Sequence, residues 1–358
     1  MVSRTVMIGI VAAIVVIIAG AGIYVLMQPP VTPPVTKHKM AVLLPGSITD
    51  AGWNSAMYVG ASALGLEMNA TLDVTIAEGL GQVGVAPTMR DYASRGYDIL
   101  VCWTIQYTAD AMAVHQDYNN TWFIVSTAYQ TAYNVISLNV NLYEGAFLAG
   151  LAMGKLTNSN IIGGVAGYNY ATTAAVPNGF YDGVKYVNPQ VTVLPTIYAG
   201  VWDDVGKGRE SGEALIAQGA DLLISRGDGL TLGVIQAASA HFGAQDTVYM
   251  VGDMADQHAL ASKTIVTSNM VFTQNQLRLV VEMIDNGTMK AKSDAGQRVF
   301  TWGVREGVAG IAPYWGLTYK IPLESVLLVQ RAIDALKAGT FQVIVNMTDG
   351  TLDYVGTF

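Results

Sequence analysis

The chain has 358 residues, of which 51% are hydrophobic and 13% are charged, and its formal net charge is −8. This acidic balance excludes a protein that binds nucleic acid through a basic face, so we expect no nucleic-acid partner. The single cysteine, Cys102, excludes an intramolecular disulfide, so the fold must be stabilised by a hydrophobic core.

The N-terminal residues have the pattern of a membrane anchor. Residues 6–27 carry no charged side chain, and a helix of that length spans about 33 Å, enough to cross a hydrocarbon core. We therefore predict a single transmembrane anchor at 1–28, with the body extracellular or periplasmic. A cleaved signal peptide remains the alternative, because Arg4 supplies a positive n-region. A lipid anchor is excluded, since no cysteine follows the segment.

A proline-rich linker follows at 29–39, where the run PPVTPP favours an extended, semi-rigid polyproline II tether. No second apolar run of membrane-spanning length occurs after it, so the remainder should be a body of one large or two ordinary domains. Four N-x-[ST] triplets, at Asn69, Asn119, Asn286 and Asn346, suit an extracellular surface, although such triplets also arise by chance.

Beyond residue 40, short apolar runs alternate with amphipathic stretches, which is typical of parallel sheets covered by helices. In the first half of this region, the pattern predicts strands at Met40–Leu44, Leu72–Ala77, Ile99–Trp103 and Trp122–Ser126. It predicts helices between them at Gly52–Met68, Pro87–Ser94 and Tyr107–Gln116. A long helix, Tyr143–Leu156, precedes a second series of strands at Ile161–Ala166, Val191–Tyr198, Leu222–Ser225 and Val248–Val251. We expect two similar α/β lobes, an N-lobe of 40–141 plus 261–300 and a C-lobe of 142–260 plus 301–358.

Ligands of such sheets bind beyond the carboxyl ends of the strands. The loops to inspect are therefore those after Leu44, Trp103, Ala166, Tyr198, Ser225 and Val251. Two lobes would present these loops to each other across a cleft.

A cofactor enzyme is one alternative, because residues 79–84 read G-x-G-x-x-G and Asp98 follows. A dinucleotide fingerprint belongs to the first βα turn, with its acid at the end of the next strand, whereas this one follows the second strand and Asp98 precedes the third. No P-loop, G-x-S-x-G or H-E-x-x-H occurs, and the four histidines show no metal spacing. We therefore expect no catalytic residues, no cofactor and no metal.

The loops carry a family resemblance. Six motifs occur in order: GSITDAGWN at 46–54, NVISLNVNLYEGAFLAG at 134–150, NGFYDGVKYVNP at 178–189, YAGVWDDVGKGRE at 198–210, GADLLISRGDGLTLG at 219–233 and VGDMADQ at 251–257. Together they resemble the basic membrane protein family, substrate-binding proteins of ABC importers that are similar to purine nucleoside receptors. The resemblance implies a type I periplasmic-binding-protein fold, with two Rossmann-like lobes, three hinge crossovers and an interlobe ligand cleft.

Two tryptophans are candidates for stacking on a flat ligand. Trp53 opens the first helix of the first lobe, and Trp202 holds the same kind of position in the second. Aromatic faces from opposite lobes can sandwich a planar ring. In the resembling receptors, aromatics at these two motifs pack on the base. Each tryptophan could instead simply pack at a lobe edge.

Polar selectivity is expected from Asp50, Asn54 and Asp253, because carboxylates and amides suit the donors and acceptors of a nucleobase and the hydroxyls of a ribose. Asp50 could also cap the first helix, and Asn54 could be a solvated first-turn residue. The family places a ribose carboxylate in a G-V-D-x-D-Q pattern, but one spacing is altered in GDMADQ at 252–257. We favour Asp253 over Asp256 because it is nearer the strand end. Gln106 is a weaker candidate.

Two positions depart from the resembling receptors. They tend to carry a lysine where this chain has Val271, and an aspartate where it has Ser126 and Thr127. This leaves the exact ligand open. We expect a monomeric solute receptor that delivers a nucleoside-like molecule to the permease and ATPase subunits of an ABC importer. A ligand-sensing or adhesive surface module is the second hypothesis, and a dinucleotide-dependent enzyme the third.

Overall fold

The computed structural model describes residues 37–243 and 247–358, and His38–Phe358 form one compact unit. The predicted anchor at 1–28 and most of the linker lie outside the described residues. Across the part that is described, no helix is both long and apolar enough to cross a bilayer.

The body alternates strands and helices along its length. The strands are β1 (His38–Leu43), β2 (Leu72–Ala77), β3 (Ile99–Cys102), β4 (Trp122–Ser126), β5 (Val135–Val140), β6 (Ile161–Ala166), β7 (Thr192–Val193), β8 (Ile197–Tyr198), β9 (Leu222–Arg226), β10 (Tyr249–Met254), β11 (Ile265–Val271), β12 (Val299–Trp302), β13 (Ala309–Ile311), β14 (Phe341–Val345) and β15 (Leu352–Gly356). The α-helices are α1 (Trp53–Glu67), α2 (Ala86–Ser94), α3 (Thr108–Val114), α4 (Leu142–Met153), α5 (Ala171–Val187), α6 (Val205–Ala217), α7 (Gly229–Ala240), α8 (Thr273–Asp285), α9 (Thr288–Asp294) and α10 (Leu323–Ala338). Short 3₁₀ turns occur at Ile105–Tyr107, His115–Asp117, His258–Leu260 and Trp315–Lys320.

Two sheets of the same topology form the two lobes. The first has the order β12-β5-β4-β3-β1-β2 and is parallel throughout. The second has the order β13-β11-β10-β9-β6-β7, with β8 also paired to β6 and only β13 antiparallel. Each repeats the doubly wound order 2-1-3-4-5, in which the crevice for a ligand lies where the strand order reverses.

The chain crosses between the lobes three times, after Val140, after Val271 and after Trp302. This agrees with the three hinge crossovers that the resemblance implied. The lobe boundary placed at 261 differs from the structure, because β11 pairs with β10 in the second sheet. Its residues are almost all buried, so the strand needs the cover of that sheet, and the chain returns to the first lobe only with α8.

The prediction of a single strand at Val191–Tyr198 is wrong. The segment forms two short strands, β7 and β8, which pair with opposite ends of β6. Pro195 lies between them, and a proline cannot donate to a strand ladder.

The core of the second lobe depends on a close crossing of α4 and α5. Every residue of α4 is buried. A Cβ on Gly183 would lie 2.2 Å from the carbonyl oxygen of Phe147, and one on Gly150 would lie 2.3 Å from that of Phe180. Only glycine fits at these two positions, which accounts for the glycines in the motifs at 134–150 and 178–189.

Candidate functional site

The carboxyl ends of the two sheets face each other, and the loops that follow them are in contact. Gln257 of the second lobe donates through Nε2 to the carbonyl oxygen of Ala51 at 2.7 Å. Asp228, after β9, accepts at Oδ1 from the backbone N–H of Trp53 at 3.1 Å. The cleft between the lobes is therefore closed in this structure.

The Asp50 carboxylate binds the first turn of helix α1. Its Oδ1 accepts from the backbone N–H groups of Gly52 (3.0 Å) and Ser55 (2.9 Å). Its Oδ2 accepts from the backbone N–H and the side-chain amide of Asn54, both at 2.7 Å. The N-cap residue itself is Gly52, and the Asp50 carboxylate binds the first-turn N–H groups from two residues upstream. Four donors fill most of the acceptor capacity of a carboxylate.

Asn54 is buried and fixes the loop after β1. Besides the bond to Asp50, its Oδ1 accepts from the backbone N–H of Gly46 at 3.2 Å. A Cβ on Gly46 would lie 2.6 Å from the Asn54 amide, so the loop must approach closely here. Asn54 is thus a buried loop residue rather than a solvated one.

Trp53 stacks on Trp103, the residue that follows β3. Their ring centroids are 4.4 Å apart with 19° between the planes. Each indole N–H donates to the other residue's carbonyl oxygen, at 2.7 and 2.9 Å. The guanidinium of Arg226 lies 5.9 Å from the Trp53 ring centroid. Trp53 thus lies between Trp103 of its own lobe and Arg226 of the second lobe.

Trp202 belongs to an aromatic group on the second lobe. It packs against Tyr168, with centroids 5.3 Å apart, and Tyr168 stacks on Tyr170. Its carbonyl oxygen accepts from the backbone N–H of Asp228 at 3.0 Å. The backbones of Trp53 and Trp202 therefore both bind Asp228, which places the two candidate tryptophans on neighbouring loops of opposite lobes.

Asp253 lies in a buried polar cluster at the ends of β9, β10 and β11. Arg226 Nη1 donates to Asp253 Oδ2 at 2.8 Å, and Asn269 lies beside Asp253 on the next strand. Among the described residues, no partner binds Asp253 Oδ1, Arg226 Nε or either amide atom of Asn269. Buried polar groups are normally satisfied, so these unfilled groups indicate a place for a polar ligand or water.

Burial raises the pKa of the Asp253 carboxyl, and the Arg226 guanidinium opposes that rise. The Asn269 amide also opposes it, although it completes no hydrogen bond of ordinary geometry. Asp256, the other candidate in this motif, is exposed and accepts from the indole N–H of Trp315 at 2.9 Å. Of the two, Asp253 is the one within the cluster.

Asp228 is a second carboxyl of the cleft whose pKa is raised. Burial and the negative charge of Asp50 raise its pKa to about 6, against the lowering effect of the Trp53 N–H and of Arg226. Asp253 raises it further. The cleft thus brings together three carboxyl groups, those of Asp50, Asp228 and Asp253, and the guanidinium of Arg226.

Other sequence candidates lie in structural roles. Gln106 is exposed and accepts from the hydroxyl of Thr104. Asp98, considered as a cofactor acid, binds His38 and the backbone N–H of Lys39. Cys102 is a buried core residue, where burial raises the pKa of its thiol.

The glycine loop at 79–84 offers no phosphate cradle. The backbone N–H groups of residues 79, 80 and 81 donate to backbone carbonyl oxygens of residues 44–46. Those of Gly84 and Val85 donate to the Asp110 carboxylate at 3.1 Å. Because these backbone N–H groups are already bonded within the protein, the loop does not support the dinucleotide-binding alternative that its glycines suggested.

A groove of about 560 Å³ also runs along the lobe boundary. Its walls are the outer face of α1 and the segments that follow β10 and β11, and they are mostly apolar, as at Val59 and Leu260. Its exposed surface is mostly apolar, so it suits a flat, polar ligand less well than the cluster around Asp253.

Sequence reasoning missed Trp103, Arg226, Asp228, Gln257 and Asn269. Arg226 and Asp228 lie directly after Ser225, in a loop that the sequence marked for inspection. Which side chains of that loop turn inward could not be read from spacing alone. Asn269 gave no signal, because β11 was assigned to the other lobe.

The chain is similar to known binding proteins over most of its length. The family profile of the PnrA-like ABC transporter substrate-binding proteins matches residues 37–345. A transcriptional activator protein of Bacillus subtilis is 26% identical over 71% of this chain and 77% of its own. An ABC transporter nucleoside-binding protein of Lactococcus lactis is 26% identical over 73% of this chain and 77% of its own.

Among solved structures, an ABC transporter solute-binding protein from Conexibacter woesei superposes with a TM-score of 0.69 at 23% identity. The match covers 84% of this chain and 97% of the other. It supports the two-lobed periplasmic-binding-protein fold, as the sheet topology does independently. The family and this neighbour are binding proteins rather than enzymes. The chain belongs to the basic membrane protein family of ABC transporter substrate-binding proteins.

Proposed function

We propose that the protein captures a purine nucleoside, or a closely similar flat and polar molecule, between its lobes and delivers it to an ABC permease and its ATPase. The observation that carries the proposal is the group of unsatisfied buried polar atoms on Arg226, Asp253 and Asn269 at the end of the second sheet. Binding the hydroxyls and ring nitrogens of a nucleoside would satisfy these atoms.

The Trp53 ring supplies the apolar half of such a site, since base–aromatic stacking contributes about 1–3 kcal/mol per base. Trp202, on the facing loop, is the proposed second aromatic wall. Asp50 and Asn54 act indirectly in this scheme, because their hydrogen bonds hold the loop that carries Trp53. The nucleoside-binding relative of Lactococcus lactis supports the same ligand class.

A direct test is thermal unfolding of residues 38–358, the compact unit, with adenosine, guanosine or inosine added. We expect a monomer whose melting temperature rises with nucleoside. Mass action predicts about 2.7 kcal/mol of stabilisation when the ligand is at 100 times its dissociation constant. A shift with a sugar or an amino acid but with no nucleoside would overturn the ligand class and leave the receptor class standing.

A ligand-sensing role is the second candidate, favoured by the similarity to the Bacillus subtilis transcriptional activator protein. An importer should copurify with a permease and an ATPase from native membranes, whereas a sensor should copurify with a signalling partner instead. We propose that either activity is exercised at the outer face of the membrane, on the anchor predicted at 1–28.

A further inference from the structure

We propose that Asp228 is a cross-lobe latch whose protonation is coupled to closure, so that the cleft closes more readily as the pH falls. The latch is the contact of the Asp228 carboxylate with the first turn of α1. It rests on the proposed function only in requiring that the two lobes open and close around a ligand.

The geometry of the latch spans the lobe boundary. Asp228 follows β9 of the second lobe, yet its Oδ1 accepts from the backbone N–H of Trp53 at the start of α1 in the first lobe. A Cβ on Gly52 would lie 2.8 Å from the same oxygen, so the glycine at residue 52 leaves room for the carboxylate to approach α1. A helix N-terminus favours a nearby negative charge.

The same contact brings two carboxyls together. Asp50 already binds the first turn of α1 through both of its oxygens, and closure places Asp228 beside it. The groups that face Asp228 are Asp50 from the loop before α1, Arg226 from β9, Asp253 from β10, and Asp203 from the loop before α6. Arg226 is already paired with Asp253, so closure leaves an excess of negative charge around Asp228.

The buried polar atoms that lack a hydrogen-bond partner beside Arg226 and Asp253 are a second, independent observation that the site is incomplete. Asp253 and Asn269 are fully buried, and Asp253 interacts electrostatically with Asp228. A ligand that supplies hydrogen-bond donors, or a proton from water, would relieve the excess charge. A proton is available without any ligand, which makes closure of the empty protein sensitive to pH.

The direction of the pH effect follows from the difference in the Asp228 pKa between the closed and the open form. Burial and the charge of Asp50, the two largest causes, hold the Asp228 pKa at about 6 in the closed form. Opening would expose Asp228 and remove Asp50, returning the pKa toward its ordinary 3.8. The closed form then binds the proton more tightly, so the ratio of closed to open molecules should rise from pH 7 to pH 5, by up to about tenfold for a complete return to 3.8.

Spin labels on the full chain can measure this ratio. Cysteines introduced at the exposed residues Gln82 and Lys207 place one label on each lobe, and native Cys102 is too buried to react. Double electron–electron resonance at pH 7 and pH 5, without ligand, should show the shorter, closed distance gaining population in the wild type.

Asp228→Asn is the decisive variant. Its side-chain oxygen can still accept from Trp53, but it cannot titrate, so the closed population should be the same at both pH values. Asp334→Asn removes an exposed carboxyl of α10 as a control and should behave as the wild type. A wild type that does not respond to pH, or an Asp228→Asn variant that responds as strongly, overturns the proposal.

A parallel series with adenosine separates this proposal from the ligand assignment. Failure of adenosine to change the distances at either pH would count against the nucleoside, while the ligand-free titration would still decide the role of Asp228. Gly52→Ala should lower the closed population at both pH values, because the added Cβ would lie 2.8 Å from the latch oxygen and crowd it.

Discussion

Arg226 and Asp253 form an ion pair between neighbouring strands of the second sheet, with 2.8 Å between Nη1 and Oδ2. Asp253 is fully buried, whereas the Arg226 side chain is 16% exposed. The resembling receptors tend to carry a lysine where this chain has Val271, and here Arg226 brings a cation to the carboxylate from a different strand. Arg226 therefore supplies the counter-charge of the buried carboxylate in this chain.

Removing one partner of this pair should be costly. Asp253→Ala would leave the Arg226 guanidinium without its counter-charge, and we expect the free energy of unfolding to fall by about 3–5 kcal/mol. The double change Arg226→Met with Asp253→Leu should cost less, because it leaves no unpaired charge. Urea unfolding measures both. As a control, Asp91→Ala breaks an exposed pair with Arg95 and should have little effect.

The double variant also tests whether the pair exists for binding rather than for stability. We expect it to fold and to have lost most of its affinity for nucleoside. A folded double variant that retains wild-type affinity would remove the cluster from the ligand site.

The βα repetition and the strand-end loops were predictable from sequence because they depend on local patterns. Apolar runs such as Ile99–Trp103 and the helix beginning near Trp53 lie within a residue or two of the observed elements. The partners of Asp253 were not predictable, since Arg226 and Asn269 meet it only through the register of β9, β10 and β11. The closing contact of Asp228 with Trp53 joins residues 175 positions apart, and no spacing rule reaches that far.

The two tryptophans should contribute separately to affinity. If both contact the ligand, Trp53→Ala and Trp202→Ala should each weaken binding by about 1–3 kcal/mol, or roughly 5- to 150-fold, in calorimetry. Trp122→Ala is the matched control, because Trp122 is a half-buried tryptophan at the amino end of β4, away from the loops at the carboxyl ends of the strands. Small-angle scattering should show that the two cleft variants need more nucleoside than the wild type to contract.

Trp53 has a second function that the stacking test must separate. Its indole N–H binds the carbonyl oxygen of Trp103, so alanine also removes packing within the first lobe. Unchanged affinity in both cleft variants would contradict the proposed sandwich. If the variants unfold instead, the rings are core residues of their lobes and the ligand lies elsewhere.

Asp50 should stabilise α1 more than a capping residue that makes only one hydrogen bond stabilises its own helix. Asp50→Ala removes bonds to three backbone N–H groups and to the Asn54 side chain, so we expect a loss of about 1–2 kcal/mol in the free energy of unfolding. Asp204→Ala is the comparison, because Asp204 caps α6 through one bond to the Lys207 N–H. Urea unfolding of the two variants should rank Asp50 first. Equal losses would mean that the extra bonds of Asp50 serve only to shape the loop.

The charge of the cleft should discriminate between a nucleoside and its monophosphate. Asp50, Asp228 and Asp253 bring three carboxyl groups to the cleft, whereas Arg226 brings one guanidinium. A phosphate adds about −2 at about pH 8, so we expect adenosine monophosphate to bind at least about tenfold more weakly than adenosine in calorimetry. Added salt should reduce this difference in affinity between the two ligands, because it screens the repulsion between the phosphate and the carboxyls. Asp228→Asn should narrow it too, whereas Asp334→Asn, which changes the net charge equally at an exposed site, should not. Equal or tighter binding of the monophosphate would mean that the phosphate lies away from the carboxyls or pairs with Arg226.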